Sequence, residues 1–137
     1  MQRDKGKVGE RELAALLTEL TGHDVRRRVR QHEGDSDLEG LPGWSVECKR
    51  YRSAAPADVS RWWAQAAAQA SREGTWPVLF YRLDKHRWRC VWPADLHTGR
   101  RPVSVGFDNA LVSDPLVWWR MCHKYGPGSV NPLGQHR

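Results

Sequence analysis

Between Asp35 and Lys49 the chain reads DSDLEGLPGWSVECK. Val46 and Cys48 alternate with Ser45, Glu47 and Lys49, so a strand over this run carries its polar groups on one face. A carboxylate and an ammonium two residues apart on such a face can be a solvated ion pair, which is common and worth little. They can also do chemistry if further acids join them. Asp37 precedes Glu47 in a short segment bounded by Gly34 and Gly40, and the Leu41-Pro42-Gly43 turn can fold it back beside the strand. Glu10 sits at the edge of the Leu13/Leu17 stripe of an expected helix and can lean toward the same place.

Carboxylates gathered in this way repel. At about 4 Å and an effective dielectric near 20, two of them cost roughly 4 kcal/mol. A hard divalent cation relieves that repulsion, and carboxylate oxygen is the ligand that Mg²⁺ accepts. Mg²⁺ so held can activate a water against a phosphodiester, and a neighbouring lysine can orient the water or stabilise the developing charge. Acids, a lysine and one metal on a basic protein are the parts of a phosphodiesterase.

The rest of the composition agrees with a nucleic-acid partner. The chain has 137 residues and a net charge of +6, with a pI near 9.7, and Lys and Arg paired to phosphates release counterions. A surface kept soluble by positive charge is the plain alternative. Cys48, Cys90 and Cys122 are isolated and odd in number, the six histidines lack metal-ligand spacing, and Cys122-His123 is the one adjacent pair. Reduced, buried thiols are expected. No apolar run approaches the roughly 18 to 20 residues of a membrane span, and the charged start at Met1-Gln2-Arg3-Asp4-Lys5 does not read as a secretory signal. The expectation is a soluble, cytoplasmic protein without a membrane partner.

The elements that must position these groups can be read in order. Residues 4–21 form a helix on Leu13, Leu16, Leu17 and Leu20, with Gly22 as its cap. HDVRRRVRQ reads as a strand with Val25 and Val29 on one face and dense positive charge. WSVECKR is a strand, and PADVSRWWAQAAAQASREG a helix with Pro56 in its first turn and Gly74 at its end. PVLFYRL is the best buried strand, HRWRCVWP the next, RPVSVGF another candidate, and SDPLVWWRMCHKY a short helix capped by Asp114 or Ser113. The expected order is α-β-β-β-α-β-β, an α/β fold with one central mixed sheet flanked by helices. One domain is expected over 1–125, and an irregular C-terminal tail over 126–137.

These residues carry a resemblance. DLEGLPGWSVECK resembles the D-(x)n-ExK core of the PD-(D/E)XK nuclease superfamily, whose fold is restriction-endonuclease-like. KGKVGERELAALLTEL resembles the first helix of its Holliday-junction resolvase branch, archaeal and phage, which bears K-G-x-x-x-E-R-E. The shared order runs from about Lys5 to Trp92, and GLPGW before ECK is similar to the short phage-type members. The resemblance implies that Glu10, Asp37 and Glu47 hold the metal, with the carbonyl of Cys48 as a further ligand, and that Lys49 is the catalytic lysine. Gln65 and Gln69 match places where some members keep a polar residue near the site. Ser36 stands where the motif usually has proline. Asp35 and Glu39 compete with Asp37, and Glu12 with Glu10.

The activity implied is that of an Mg²⁺-dependent endonuclease of the resolvase type, with Mn²⁺ able to substitute, cutting branched DNA such as four-way junctions. Cleavage leaving a 5′-phosphate and a 3′-hydroxyl is implied by the family. A homodimer is likewise implied, with the Trp62-Trp63 or Trp118-Trp119 face as its seam; in each pair one ring can instead fill the core and the other its rim. Lys5, Lys7, Arg11, Arg26, Arg28 and Arg30 are the expected DNA contacts. Three alternatives stay open. They are a restriction, repair or nicking enzyme of this fold acting on linear or flapped DNA, a non-catalytic DNA-binding module, and an interaction protein that meets an acidic partner.

Overall fold

The computed structural model describes residues 3–28, 36–94, 96 and 106–125, with backbone alone for 3–5 and 123–125. Its elements are α1 (Arg3–Thr21), β1 (Arg26–Arg27), β2 (Leu38–Glu39), β3 (Trp44–Tyr51), α2 (Pro56–Glu73), β4 (Trp76–Leu83), β5 (Arg89–Pro93), a 3₁₀ turn (Phe107–Asn109), β6 (Ala110–Ser113) and α3 (Pro115–Tyr125). The six strands form one sheet in chain order, β1-β2-β3-β4-β5-β6. Every pairing is antiparallel except β3 with β4, whose parallel register sets Glu47 opposite Leu79. A parallel pair needs a crossover, and α2 supplies it.

The β3–α2–β4 unit follows from local chemistry. Pro56 is tolerated in the first turn, where an N–H would lack a helical partner anyway. The Asp58 carboxylate accepts the Ala55 N–H at 2.8 Å, and that bond holds its carboxyl below the usual range. Gly74 ends the helix in the left-handed region at φ 73, donating its N–H to the carbonyls of Ala70 and Ser71. The chain then enters β4 within two residues.

Alternation along β3 divides the core. Val46 and Cys48 face α1 and α3, packing with Leu13, Leu17, Val78, Phe80, Cys90 and Trp118. The opposite face of the sheet meets α2 through Trp62, Trp63, Ala66, Leu79 and Val91. Gly9 lets α1 approach β3 closely, since a Cβ there would stand 2.6 Å from the Cβ of Arg50. The three cysteines are free and buried.

Some expectations need correction, and others fall outside the described residues. The expected strand over HDVRRRVRQ is only two residues long where described, Arg26–Arg27, and Val29 and Arg30 lie outside the described residues. Most of RPVSVGF also lies outside them, and Phe107 begins the 3₁₀ turn. The strand beyond β5 is Ala110–Ser113, which pairs with Cys90–Pro93. Its polar neighbours Asp108, Asn109 and Asp114 masked so short an apolar run. The tail over 126–137 is outside the described residues. The tryptophans offer little to a partner: Trp62, Trp63 and Trp118 are all buried, and Trp119 is half-buried. Exposed large apolar side chains are instead Val8, Leu111, Val112, Leu116 and Val117.

Candidate active site

Ser45, Glu47 and Lys49 occupy the face of β3 opposite Val46 and Cys48, as strand alternation requires. Asp37, just before β2, is fastened to β3 twice. Its backbone N–H donates to the Val46 carbonyl at 3.1 Å, and its carboxylate accepts the Cys48 N–H at 2.8 Å. The short LPG loop therefore brings Asp37 beside Glu47.

The Glu47 carboxyl is pushed up to about 9, first by burial, then by the charge of Asp37 and a hydrogen bond with it. Lys49 opposes the shift and Glu73 adds to it. Asp37 and Glu47 thus stand within hydrogen-bonding reach of one another, which favours the neutral form of Glu47.

Glu10 reaches the same region from α1. It accepts a hydrogen bond from Arg27 Nε at 3.0 Å. Its carboxyl is raised by burial and by the charge of Asp37, with Arg27 and Lys49 pulling the other way. Glu12 points elsewhere, accepting from Arg82 and from Trp88 Nε1. Asp35 lies outside the described residues.

The arginine cluster is largely committed within the protein. Arg26 pairs with Asp24 at 3.0 Å and stands 3.7 Å from Glu39. Arg28 donates to the carbonyl and the hydroxyl of Ser36 at 3.0 and 3.1 Å. Lys7 and Arg11 are exposed on α1. Arg30 and the side chain of Lys5 lie outside the described residues. On α2, Gln65 is exposed. Gln69 is 4% exposed; its Oε1 accepts from Arg72 at 2.9 Å, while its buried Nε2 has no partner among the described residues. Sequence reading missed Arg27, whose pairing with Glu10 bridges seventeen residues. It also missed a polar group made by Ser36, Ser45, Thr75 and the exposed Glu73. For Ser45 a signal existed, since it shares the face of Glu47 and Lys49.

Asp37 and Glu47 fit a hard divalent cation by the chemistry of the donor set: they are two carboxyls held side by side, and a cation between them would offset their mutual repulsion. Among the described residues, no three His, Cys, Asp or Glu side chains converge into a ready metal cage. The fit is therefore to two carboxylates, with Glu10 drawn aside by Arg27.

The sequence model of the family described as "Phage putative PDDEXK endonuclease" matches residues 1–101. The chain belongs to this family. The span matched in this PDDEXK endonuclease family member includes Glu10, Asp37, Glu47 and Lys49 and runs past β5, so β6 and α3 lie beyond it. Among solved structures it is similar to Hjc of Archaeoglobus fulgidus, a Holliday junction resolvase from an archaeal hyperthermophile, at 20% identity and a TM-score of 0.47, covering 85% of this chain and 88% of that one. No curated protein matches the chain.

Proposed function

We propose that the chain is an Mg²⁺-dependent endonuclease of branched DNA, of the Holliday-junction resolvase type. The observation that carries this reading is the placement of Asp37, bonded twice to β3, beside Glu47 and Lys49, in a chain of an endonuclease family. The choice of branched DNA rests on the likeness of KGKVGERE to the resolvase helix.

Asp37, Glu47 and the carbonyl of Cys48 would hold the ion, with Glu10 as a further acid. When bound, a divalent ion lowers the pKa of a water and offsets charge on the scissile phosphate. Glu47 would have to be ionised to serve as a ligand, so ion binding and loss of its proton would be linked. Lys49, on the same face, orients the attacking water and balances charge on the pentacoordinate phosphate. In-line displacement then leaves a 5′-phosphate and a 3′-hydroxyl. Lys7 and Arg11, exposed on α1 near Glu10, are the favoured phosphate contacts, and Lys5 and Arg30 are proposed as further ones. Arg26 and Arg28, held by Asp24, Glu39 and Ser36, would contribute less. Two copies of the chain would cut the two related strands of a junction, in the cytoplasm of a bacterial host.

The test is cleavage of a labelled four-way junction in Mg²⁺, beside a linear duplex and a flap of the same arm sequences, by wild type and Lys49→Ala. Paired cuts on the junction alone, absent in the variant, are expected. Equal cutting of all three would keep the nuclease and remove the resolvase. No cutting by a folded, junction-binding wild type would leave a DNA-binding module.

A further inference from the structure

The two acids of the proposed pair sit on different segments, and a third carboxylate ties those segments together. Glu73, the last residue of α2, accepts the Ser36 hydroxyl on one oxygen at 3.2 Å and the Ser45 hydroxyl on the other at 3.0 Å. Ser36 precedes Asp37; Ser45 is one step before Glu47 on the same face of β3. Both serines are 1% exposed, so their hydroxyls cannot exchange protein partners for water without cost. The contact extends in both directions. Arg28 holds the carbonyl and hydroxyl of Ser36, and Thr75 shares a hydrogen bond with Ser45.

We propose that Glu73 is a positioning residue that clamps the Asp37 segment to β3 and so fixes the separation of Asp37 and Glu47 to suit a divalent cation. The geometry favours this role over a general helix cap. A cap would serve the helix's own carbonyls, and Gly74 already does that. Glu73 spends both oxygens on the two segments that carry the acids. A bidentate carboxylate fixes a distance as well as an orientation, which a single hydrogen bond does not. Groups that orient metal ligands in this way are typically worth 10- to 100-fold in metal affinity.

The inference rests on the metal-site reading above, and two independent readouts separate their failures. Mn²⁺ alone would be titrated against the full chain, with free Mn²⁺ followed by electron paramagnetic resonance, for wild type, Glu73→Ala, Glu73→Gln and Ser45→Ala. Circular dichroism melts would establish that each variant folds. The Mg²⁺ dependence of junction cleavage would be measured alongside. Glu73→Ala is expected to weaken Mn²⁺ about 10-fold and to raise the half-saturating Mg²⁺ by a similar factor. The rate at saturating Mg²⁺ should stay within about 3-fold. Ser45→Ala should lie between wild type and Glu73→Ala. Glu73→Gln should stay close to wild type, because an amide can accept from one serine and donate to the other.

Weakened Mn²⁺ binding in Glu73→Ala by a wild type that cuts no DNA would uphold the clamp and remove the nuclease. Wild-type affinity in a folded Glu73→Ala would overturn the clamp, whatever the cleavage result. A Glu73→Gln as weak as Glu73→Ala would also overturn it, because the charge of Glu73 rather than its two hydrogen bonds would then be what counts.

Discussion

The two faces of the sheet are built from the same strands for opposite purposes. Toward α1 and α3, β3 presents Val46 and Cys48 to a packing of Leu13, Leu17, Phe80 and Trp118, the last four being fully buried. Toward α2, β3 presents Ser45, Glu47 and Lys49, and only beyond Lys49 does that face become aromatic, where Tyr51 stacks on Trp62 at 4.8 Å. One face is stabilised by removing water from carbon. The other holds polar groups that water would otherwise hold, with Ser45 tied to Glu73 and Glu47 to Asp37 from neighbouring segments. A single residue step along β3 separates the two, so stability and chemistry can be perturbed almost independently.

The sharpest way to break that division is a pair of truncations. Lys49→Ala should lower the junction-cleavage rate about 10²- to 10³-fold, the usual cost of losing one group that stabilises transition-state charge, with little change in the urea midpoint. Trp118→Ala on the other face should cost about 3–5 kcal/mol in urea unfolding, and the molecules that remain folded should cut normally. If Lys49→Ala instead unfolded the protein while Trp118→Ala spared it, the division would be wrong.

A pH titration sharpens it further. In metal-free protein Glu47 is raised from its ordinary 4.5 to about 9 by burial and by Asp37, so the native state keeps a proton that the unfolded chain loses. The stability from that proton is fully present below about 4.5 and is lost as pH rises through 9. Thermal midpoints should therefore fall across this window, Mg²⁺ should restore them at the alkaline end, and Glu47→Gln should flatten the slope. The apolar face should add nothing there, since burial pushes the thiols of Cys90 and Cys122 up to about 12.

The smallest expected effect concerns the surface. Lys7→Ala with Arg11→Ala should reduce the slope of log affinity against log salt for junction DNA by about 2. Arg28→Ala should change that slope less, because its guanidinium already serves Ser36. A larger change for Arg28→Ala would return the arginine cluster to the DNA face.

The sequence made the central layer legible because its signals are local. The Leu13/Leu17 stripe, the alternation in WSVECK and the Pro56 and Gly74 ends of α2 each depend on residues within one turn or one strand. The likeness of ECK and KGKVGERE to known nucleases pointed to Glu10, Asp37, Glu47 and Lys49; Asp37 is bonded to β3 beside the last two, while Glu10 pairs with Arg27. What stayed hidden depends on long-range partners. The arginines of residues 26–28 looked free because the acids that hold Arg27 and Arg28, Glu10 and Glu39, are far off in sequence or across a strand pair. Glu73 looked like an ordinary acid in a helix's last turn, and only the length of α2 brings it over the start of β3. Both Trp62 and Trp63 are buried because α2 packs broadly on the sheet, which a rule of one ring inside and one outside does not anticipate.

The chain-order sheet also bears on the protein's synthesis. Glu10, Asp37, Glu47 and Lys49 all precede α2 and β4 in the chain and are therefore translated before them. Yet β3 is an inner strand, and each of its eight residues pairs with β4, Trp76–Leu83. A nascent chain that has emerged only as far as Lys49 carries every proposed catalytic side chain with half of β3's backbone bonding unmet and no α2 above it. The proposed reactive groups thus leave the ribosome before the scaffold that assembles them, and on the proposed reading the growing chain would stay inert toward nearby nucleic acid until the crossover closes.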